Sequence, residues 1–333
     1  MTYDIEHRTL HFKQPAGTSR GVYHTRDVWY IHLYEGGWHG IGECAPLPDL
    51  SCDALPQQEY EQHIQEACHS FCKTGQIPYD SLRSYPSILF GLESATMTNV
   101  RLEDNKENPI CRINGLIWMG TYEEMKERLE EKLRVGFRCI KLKIGAINFE
   151  DEMRLIQQVR KDFPQEVVEL RVDANGGLGT PTDLASVHAK LQRLASHHLH
   201  SIEQPIPAGH WEQMAQLCQE SPLPIALDEE LIGINHTANK IDLLNTIRPQ
   251  YIILKPSLHG GLSGCDEWIR LAKERGIGWW ATSALESNIG LAAIAQWVQN
   301  YQPVLPQGLG TGLLFTDNTE PRTVVRGEEL WWI

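Results

Sequence analysis

The sequence predicts an α/β protein: a TIM-like (β/α) barrel preceded by a smaller α+β domain. Two observations carry this. From about Ile110 onward, short apolar and β-branched runs alternate with longer stretches of helical periodicity, the pattern of βα units on a parallel sheet. The first 105 residues lack that alternation.

Taken in chain order, residues 4–12 and 28–34 read as strands and are followed by helical stretches at 57–73 and 86–97. The polar, turn-rich segment 101–109 reads as a domain boundary. The expected domains are therefore 1–105 and 106–311, with the tail 312–333 packing on the smaller one through Trp331 and Trp332. Eight candidate strands follow the boundary, at 111–117, 139–143, 169–173, 200–203, 224–228, 251–255, 278–282 and 303–308. Eight is the strand number of a closed barrel. Between them, 122–135 sets Met125, Leu129 and Leu133 four apart among charges, and 149–163 does the same with Met153, Ile156, Val159 and Phe163. Both read as amphipathic helices covering a sheet.

Composition narrows the function classes. The chain has 333 residues, with 30 basic and 43 acidic side chains and a net charge of −13, which argues against nucleic acid or an anionic membrane as partner. With 41% hydrophobic and 22% charged residues it is neither disordered nor fibrous. No signal-like N-terminus and no run of 18 apolar residues occurs, so a cytoplasmic protein is expected. The eight cysteines read as thiols, because a chain of this length needs no disulfide staples. Cys68 and Cys72, near His63 and His69, lack a second ligand pair and read as helix residues rather than a metal site.

The chemistry is carried by strand parity. Alternate residues of a strand face opposite sides of the sheet. In IKLKIG, Lys141 and Lys143 oppose Ile140, Leu142 and Ile144; in LRVDAN, Arg171 and Asp173 oppose Leu170 and Val172. Glu203 opposes Ile202, Asp228 opposes Leu227, and Lys255 opposes Leu254. In a barrel the apolar face meets the outer helices, so these charges turn toward the axis near the C-terminal ends of five consecutive strands. Lys143, Asp173, Glu203, Asp228 and Lys255 follow one another at intervals of 30, 30, 25 and 27 residues, about one βα unit each.

Three crowded carboxylates repel one another unless a cation sits among them, and an all-oxygen set on a rigid frame suits Mg²⁺ better than Zn²⁺. DANGG is not an EF-hand opening, because the twelfth position from Asp173 is Leu184. Cations around Lys143 are expected to disfavour its protonated form and fit it as a base. Abstraction of the α-proton of a small carboxylate substrate would place charge on oxygens beside the metal.

KLK (141–143), VDAN, IEQP, LDEE and ILKP resemble the muconate-lactonising subgroup of the enolase superfamily. HTRDVWYI (24–31), GECAPLPDLS (42–51), FGLES (90–94), INGLIWMG (113–120), TSALESNIG (282–290) and QGLGTGLLFTDN (307–318) are similar to the o-succinylbenzoate synthase family within it. The resemblance implies a modified (β/α)7β barrel with an N-terminal α+β capping domain. It also implies Mg²⁺-dependent syn-dehydration of 2-succinyl-6-hydroxy-2,4-cyclohexadiene-1-carboxylate to 2-succinylbenzoate in menaquinone biosynthesis. On it, Lys143 is the base and Lys255 the cation on the opposite ring face; Asp173, Glu203 and Asp228 hold Mg²⁺, supported by Lys141 and Asn175. Residues 17–25, followed by Arg26, resemble the family's substrate loop, an ordinary hairpin connection being the alternative. Ser283, or its alternative reading as a helix N-cap with Glu286, and the eighth-strand loop at Gly310 are candidate substrate contacts. His259 reads as lining the mouth or supporting it from behind.

Two rival readings remain. A dipeptide epimerase or N-succinylamino-acid racemase would use both lysines as bases; the Asp-x-Asp typical of the epimerases is replaced here by Gly308-Leu309-Gly310. A hydrolytic or non-catalytic metal-binding barrel is the second, and the first strand lacks its His-x-His. The oligomeric state is left open.

Overall fold

The computed structural model describes residues 1–17, 21–97, 108–145 and 147–333. The expected loop at 17–25 and the boundary at 101–109 therefore lie partly outside the described residues.

The chain opens with an antiparallel sheet of β1 (Thr2–Gly17), β2 (Val22–Glu35) and β3 (Trp38–Cys44), in that order. Helices α1 (Gln57–Thr74), α2 (Tyr79–Leu82) and α3 (Pro86–Met97) follow. Sequence reading omitted β3, whose segment WHGIGEC looks turn-like. The glycines are there for packing: a Cβ at Gly42 would stand 1.9 Å from the Gly91 carbonyl oxygen, and one at Gly91 would stand 2.2 Å from Cys44 Sγ. Helix α3 thus lies directly on the strand. Trp29, Ile31 and Leu33 of the sheet and Tyr60, Ile64, Phe71 and Leu92 of the helices form the local core.

The barrel begins with β4 (Cys111–Arg112) and β5 (Gly115–Ile117), so the single first strand expected at 111–117 is broken in two. It continues through α4 (Tyr122–Val135), β6 (Cys139–Lys143), α5 (Phe149–Asp162), β7 (Glu169–Asp173), α6 (Leu184–Ala195), β8 (Ser201–Glu203) and α7 (Trp211–Glu220). Next come β9 (Ile225–Leu227), α8 (Thr237–Ile247), β10 (Tyr251–Leu254), α9 (Gly261–Lys273), β11 (Gly278–Ala281) and α10 (Asn288–Gln299). Local chemistry sets these boundaries. Thr121 and Glu124 form a reciprocal capping box at the start of α4, and Gly136 ends it in the left-handed conformation. Pro164 stops α5 one residue earlier than the apolar period alone indicates.

Strands β5 to β11 form a parallel sheet in sequential order. Bridges Thr282↔Gly308 and Ile113↔Gln307 set a two-residue eighth strand between the last and the first, which closes the cylinder. Pro303 and Pro306, which lack an N–H, keep the longer expected strand at 303–308 from forming. The two faces of the sheet are chemically separate. Ile140, Leu142, Val172, Ile202, Leu227, Ile252 and Leu254 pack outward among the helices. Ala226, Ile253 and Trp280 form a small cluster of their own inside. Each fully buried Leu or Ile on the outer interface contributes roughly 1.5–3 kcal/mol.

The C-terminal tail divides. Lys13 and Thr316 donate backbone bonds to Leu314 and His11, which ties that stretch to β1. The hairpin β12 (Thr323–Arg326) and β13 (Glu329–Trp332) pairs instead with β4, and Trp332 Nε1 donates to Gln299 of α10 at 3.0 Å. The expectation that the Trp pair pins the tail to the smaller domain is thus corrected: the hairpin and β4 form a separate three-stranded antiparallel sheet beside the barrel sheet. All eight cysteines are free, and Cys68 is buried in the helix core.

Candidate active site

Parity and barrel closure bring the five charged residues to one end. Lys143 and Asp173 are cross-strand partners at the ends of β6 and β7, and Asp173 in turn pairs with Glu203 at the end of β8. Asp228 and Lys255 directly follow β9 and β10. Counting β5 as the first barrel strand, Lys143 is on the second and Lys255 follows the sixth, so they face one another across the axis. The carboxylates occupy the strands between.

The ionic contacts are dense and buried. Lys141 Nζ lies 2.8 Å from Asp173 and also pairs with Glu203; Lys143 Nζ lies 2.7 Å from Asp173; Lys255 pairs with Asp228. Burial lowers the Lys141 and Lys255 ammonium pKa values, but the carboxylates beside them outweigh it and hold both above the ordinary lysine range. Each of the three site lysines, Lys143 included, has a carboxylate at contact. Asp173 and Asp228, although desolvated, are held below the usual carboxylate range by Lys141 and Lys143 and by Lys255. Burial and repulsion from Asp173 push Glu203 well up.

Ammonium groups take up space between the carboxylates, and among the described residues no three His, Cys, Asp or Glu side chains are already arranged as a metal-ligand set. The donor chemistry nevertheless suits a hard cation. Glu203 Oε1, Asp228 Oδ1 and Glu229 Oε2 are buried without a hydrogen-bond partner among the described residues. Such unsatisfied oxygens cost on the order of 1–3 kcal/mol each, which ligation of a divalent ion removes.

Two residues missed by sequence reasoning belong to the site. Lys143 Nζ donates to Asn175 Oδ1, and Asn175 Nδ2 donates to Glu229 Oε1 at 2.9 Å. Asn175 adopts φ +43°, and its N–H donates to Asp173 at 3.0 Å, which aims the amide at the lysine. Glu229 follows Asp228 in a 3-10 turn that breaks strand parity, so no alternation rule could find it. Asn114, at the break between β4 and β5, is buried, and its Oδ1 has no hydrogen-bond partner among the described residues.

Above these groups lies a cavity of about 390 Å³. Lys141, Lys143, Lys255, Asn114, Asn175 and Glu229 line its polar side. Leu47 and Leu50 from the N-terminal domain, with Leu258, Leu285 and Trp280, line its apolar side. Ser283 and Gly310 both border it, and Ser283 Oγ shares a 2.6 Å hydrogen bond with Thr311. The N-cap of α10 is Ser287, so the alternative of Ser283 as N-cap fails. His259 is fully buried behind the mouth; its Nδ1 accepts the Lys255 N–H at 3.0 Å, and burial lowers its pKa to about 3, leaving it neutral. Arg26 does not reach the cavity: it is buried behind the wall, donating to the carbonyls of Ala284 and Ala45.

The family description "Enolase C-terminal domain-like" matches residues 124–324, and "MenC, N-terminal domain" matches 18–99. The o-succinylbenzoate synthase of Desulfotalea psychrophila is 42% identical, over 98% of this chain and 98% of that protein. The crystal structure of MenC from that organism superposes with a TM-score of 0.83 at 38% identity, covering 99% of each chain. The o-succinylbenzoate synthase of Thermosynechococcus vestitus is 26% identical over 90% of this chain and 88% of its own. The L-Ala-D/L-Glu epimerase of Bacillus subtilis shares the fold, with a TM-score of 0.81 at 18% identity over 100% of this chain and 96% of its own.

Proposed function

Because this chain belongs to the o-succinylbenzoate synthase family of the enolase superfamily, we propose that its two facing lysines carry out that family's elimination. The reaction is the syn-dehydration of 2-succinyl-6-hydroxy-2,4-cyclohexadiene-1-carboxylate to 2-succinylbenzoate, a step toward menaquinone. The supporting observation is the placement of Lys143 and Lys255 on opposite sides of one cavity.

In this reading the Lys143 amine takes the proton from the ring carbon that bears the carboxylate. The same ammonium then delivers that proton to the hydroxyl leaving from the same ring face. One C–H and one C–O bond break, the ring gains a double bond, and water departs. Asn175, fixed between Asp173 and Glu229, aims the Lys143 amine. Lys141, bridging Asp173 and Glu203, adds positive potential beside it. Lys255, kept charged by Asp228, stabilises the negative charge that develops on the opposite face.

We infer that Mg²⁺ is the cofactor, because a rigid all-oxygen donor set suits a hard divalent ion. Asp173, Glu203 and Asp228 would hold it here, and the bound ion would supply electrostatic stabilisation to the substrate carboxylate as charge accumulates. Ser283 and the Gly310 loop would contact the small-molecule carboxylate substrate, with residues 1–105 as the capping domain over the barrel of 106–311. No helix among the described residues is long and apolar enough to cross a membrane, and we place the enzyme in the cytoplasm.

The test adds the cyclohexadiene carboxylate and Mg²⁺ and follows formation of the aromatic product by ultraviolet absorbance. A parallel arm follows α-proton exchange of N-succinyl amino acids in D₂O. Aromatisation supports the dehydratase; exchange without aromatisation would replace it with a racemase.

A further inference from the structure

Two sequence motifs meet in one buried joint between the domains: GEC (42–44) on β3 and TSALESNIG (282–290), which runs from the end of β11 into α10. Glu43 reaches across from β3 and accepts from Ser287 N at 2.8 Å, Ser287 Oγ at 2.5 Å and Gly290 N at 2.8 Å. A Cβ on Gly290 would sit 2.9 Å from that carboxylate, so only glycine allows the approach. Arg26, on β2, donates one guanidinium N–H to the Ala284 carbonyl and another to that of Ala45. Glu286 closes the turn by accepting from Ala284 N and Ser257 Oγ, each at 2.6 Å. Glu43 and Glu286 are fully buried, and Arg26 is 3% exposed.

Between these anchors Leu285 is held at φ +66°, a left-handed conformation that costs a β-carbon-bearing residue energy. Ser283, Ala284 and Leu285 form part of the cavity wall. Apolar packing would join two domains without the desolvation cost of three buried charges. Directional bonds on both sides of Leu285 do something packing cannot: they fix the strained turn in one shape.

We propose that Arg26 and Glu43 are positioning residues for the reaction, holding the 283–285 turn so that this cavity wall is complete only while the N-terminal domain is docked. The inference rests on the reading of that cavity as the substrate site. Neither residue touches substrate; both act through the backbone of the turn.

The test compares the full-length chain with Arg26→Gln, Arg26→Lys and Glu43→Gln. Either Gln variant is expected to raise KM about tenfold or more while kcat stays within about threefold, the split expected for lost ground-state positioning. Arg26→Lys, which keeps the charge and a donor, should fall between. Amide exchange should accelerate at 282–290 and not across the barrel. Combining Arg26→Gln with Leu285→Gly should cost no more than the larger single change, since both act on the same turn. Unchanged KM, or unchanged exchange at 282–290, overturns the proposal, as does a loss of melting temperature with KM intact. Should a Gln variant fail to fold, Ser287→Ala removes one arm of the joint from the barrel side and is read by the same outcomes. If the unaltered chain does not convert the cyclohexadiene carboxylate, the functional reading fails, while the exchange measurement still decides the joint.

Discussion

Lys255 and Asp228, at the ends of neighbouring barrel strands, form a buried ion pair in which the carboxylate is fully enclosed and the lysine side chain is 14% exposed. Removing one partner leaves the other charged and uncompensated, at a cost of about 3–5 kcal/mol. Lys255→Ala is therefore expected to lower stability by several kcal/mol in urea denaturation as well as to abolish turnover. The double variant Lys255→Met with Asp228→Leu should recover most of the stability and none of the activity. Equal stability of the single and double variants would show that the pair carries no such energy.

Lys143 is tied to Asp173 and Asn175 rather than enclosed by apolar groups. Lys143→Ala is expected to reduce kcat by at least about 10³-fold, within the range for a lost general base, with the circular dichroism spectrum unchanged. Turnover persisting near the native rate would remove Lys143 as the base. Asn175→Ala, which leaves the amine in place but unaimed, should cost less, about tenfold.

The unpartnered oxygens of Glu203 and Asp228 predict dependence on a hard divalent ion. Chelation with EDTA should stop turnover, and Mg²⁺ should restore it. Glu203→Gln should raise the Mg²⁺ concentration for half-maximal rate by more than about tenfold. A rate indifferent to the chelator would count against the ligand set.

Glu93 reaches from α3 to accept from the N–H groups of Leu262 and Ser263 at the start of α9, and burial raises its pKa to about 7. A carboxyl raised on folding contributes stability that is fully present below its unfolded value near 4.5 and is lost as pH rises through about 7. The difference corresponds to about 3 kcal/mol in the limit. Melting temperature should therefore fall less steeply between pH 5 and pH 8 in Glu93→Gln than in the native chain. Identical slopes would assign the dependence to other groups.

Gly42 faces the Gly91 carbonyl so closely that an added methyl must displace backbone. Gly42→Ala should destabilise the protein by roughly 1–3 kcal/mol or more, visible as a drop of several degrees in a thermal melt. An unchanged melt would mean that α3 shifts on the sheet without penalty.

Elements with a strong period were legible before folding. The strands ending in Lys143 and Asp173, and the helix over Tyr122–Val135, stand where their alternation and capping residues place them. Strand β3 was not legible, because its glycines serve contact with a helix about fifty residues away and look locally like turns. Glu229 and Asn114 were missed for a related reason: each sits where a strand breaks, and alternation says nothing about where a side chain points beyond the break.

The amino-acid order by itself determined the barrel class, the side of the sheet on which the charges gather, and the family, because side-chain alternation and motif spacing are local properties of the chain. Tertiary structure alone decided which charges touch, that each lysine meets a carboxylate, and that Arg26 and Glu43 of one domain grip a turn of the other. Those outcomes depend on distances between segments far apart in the chain, which are fixed only when the cylinder closes and the two cores pack together.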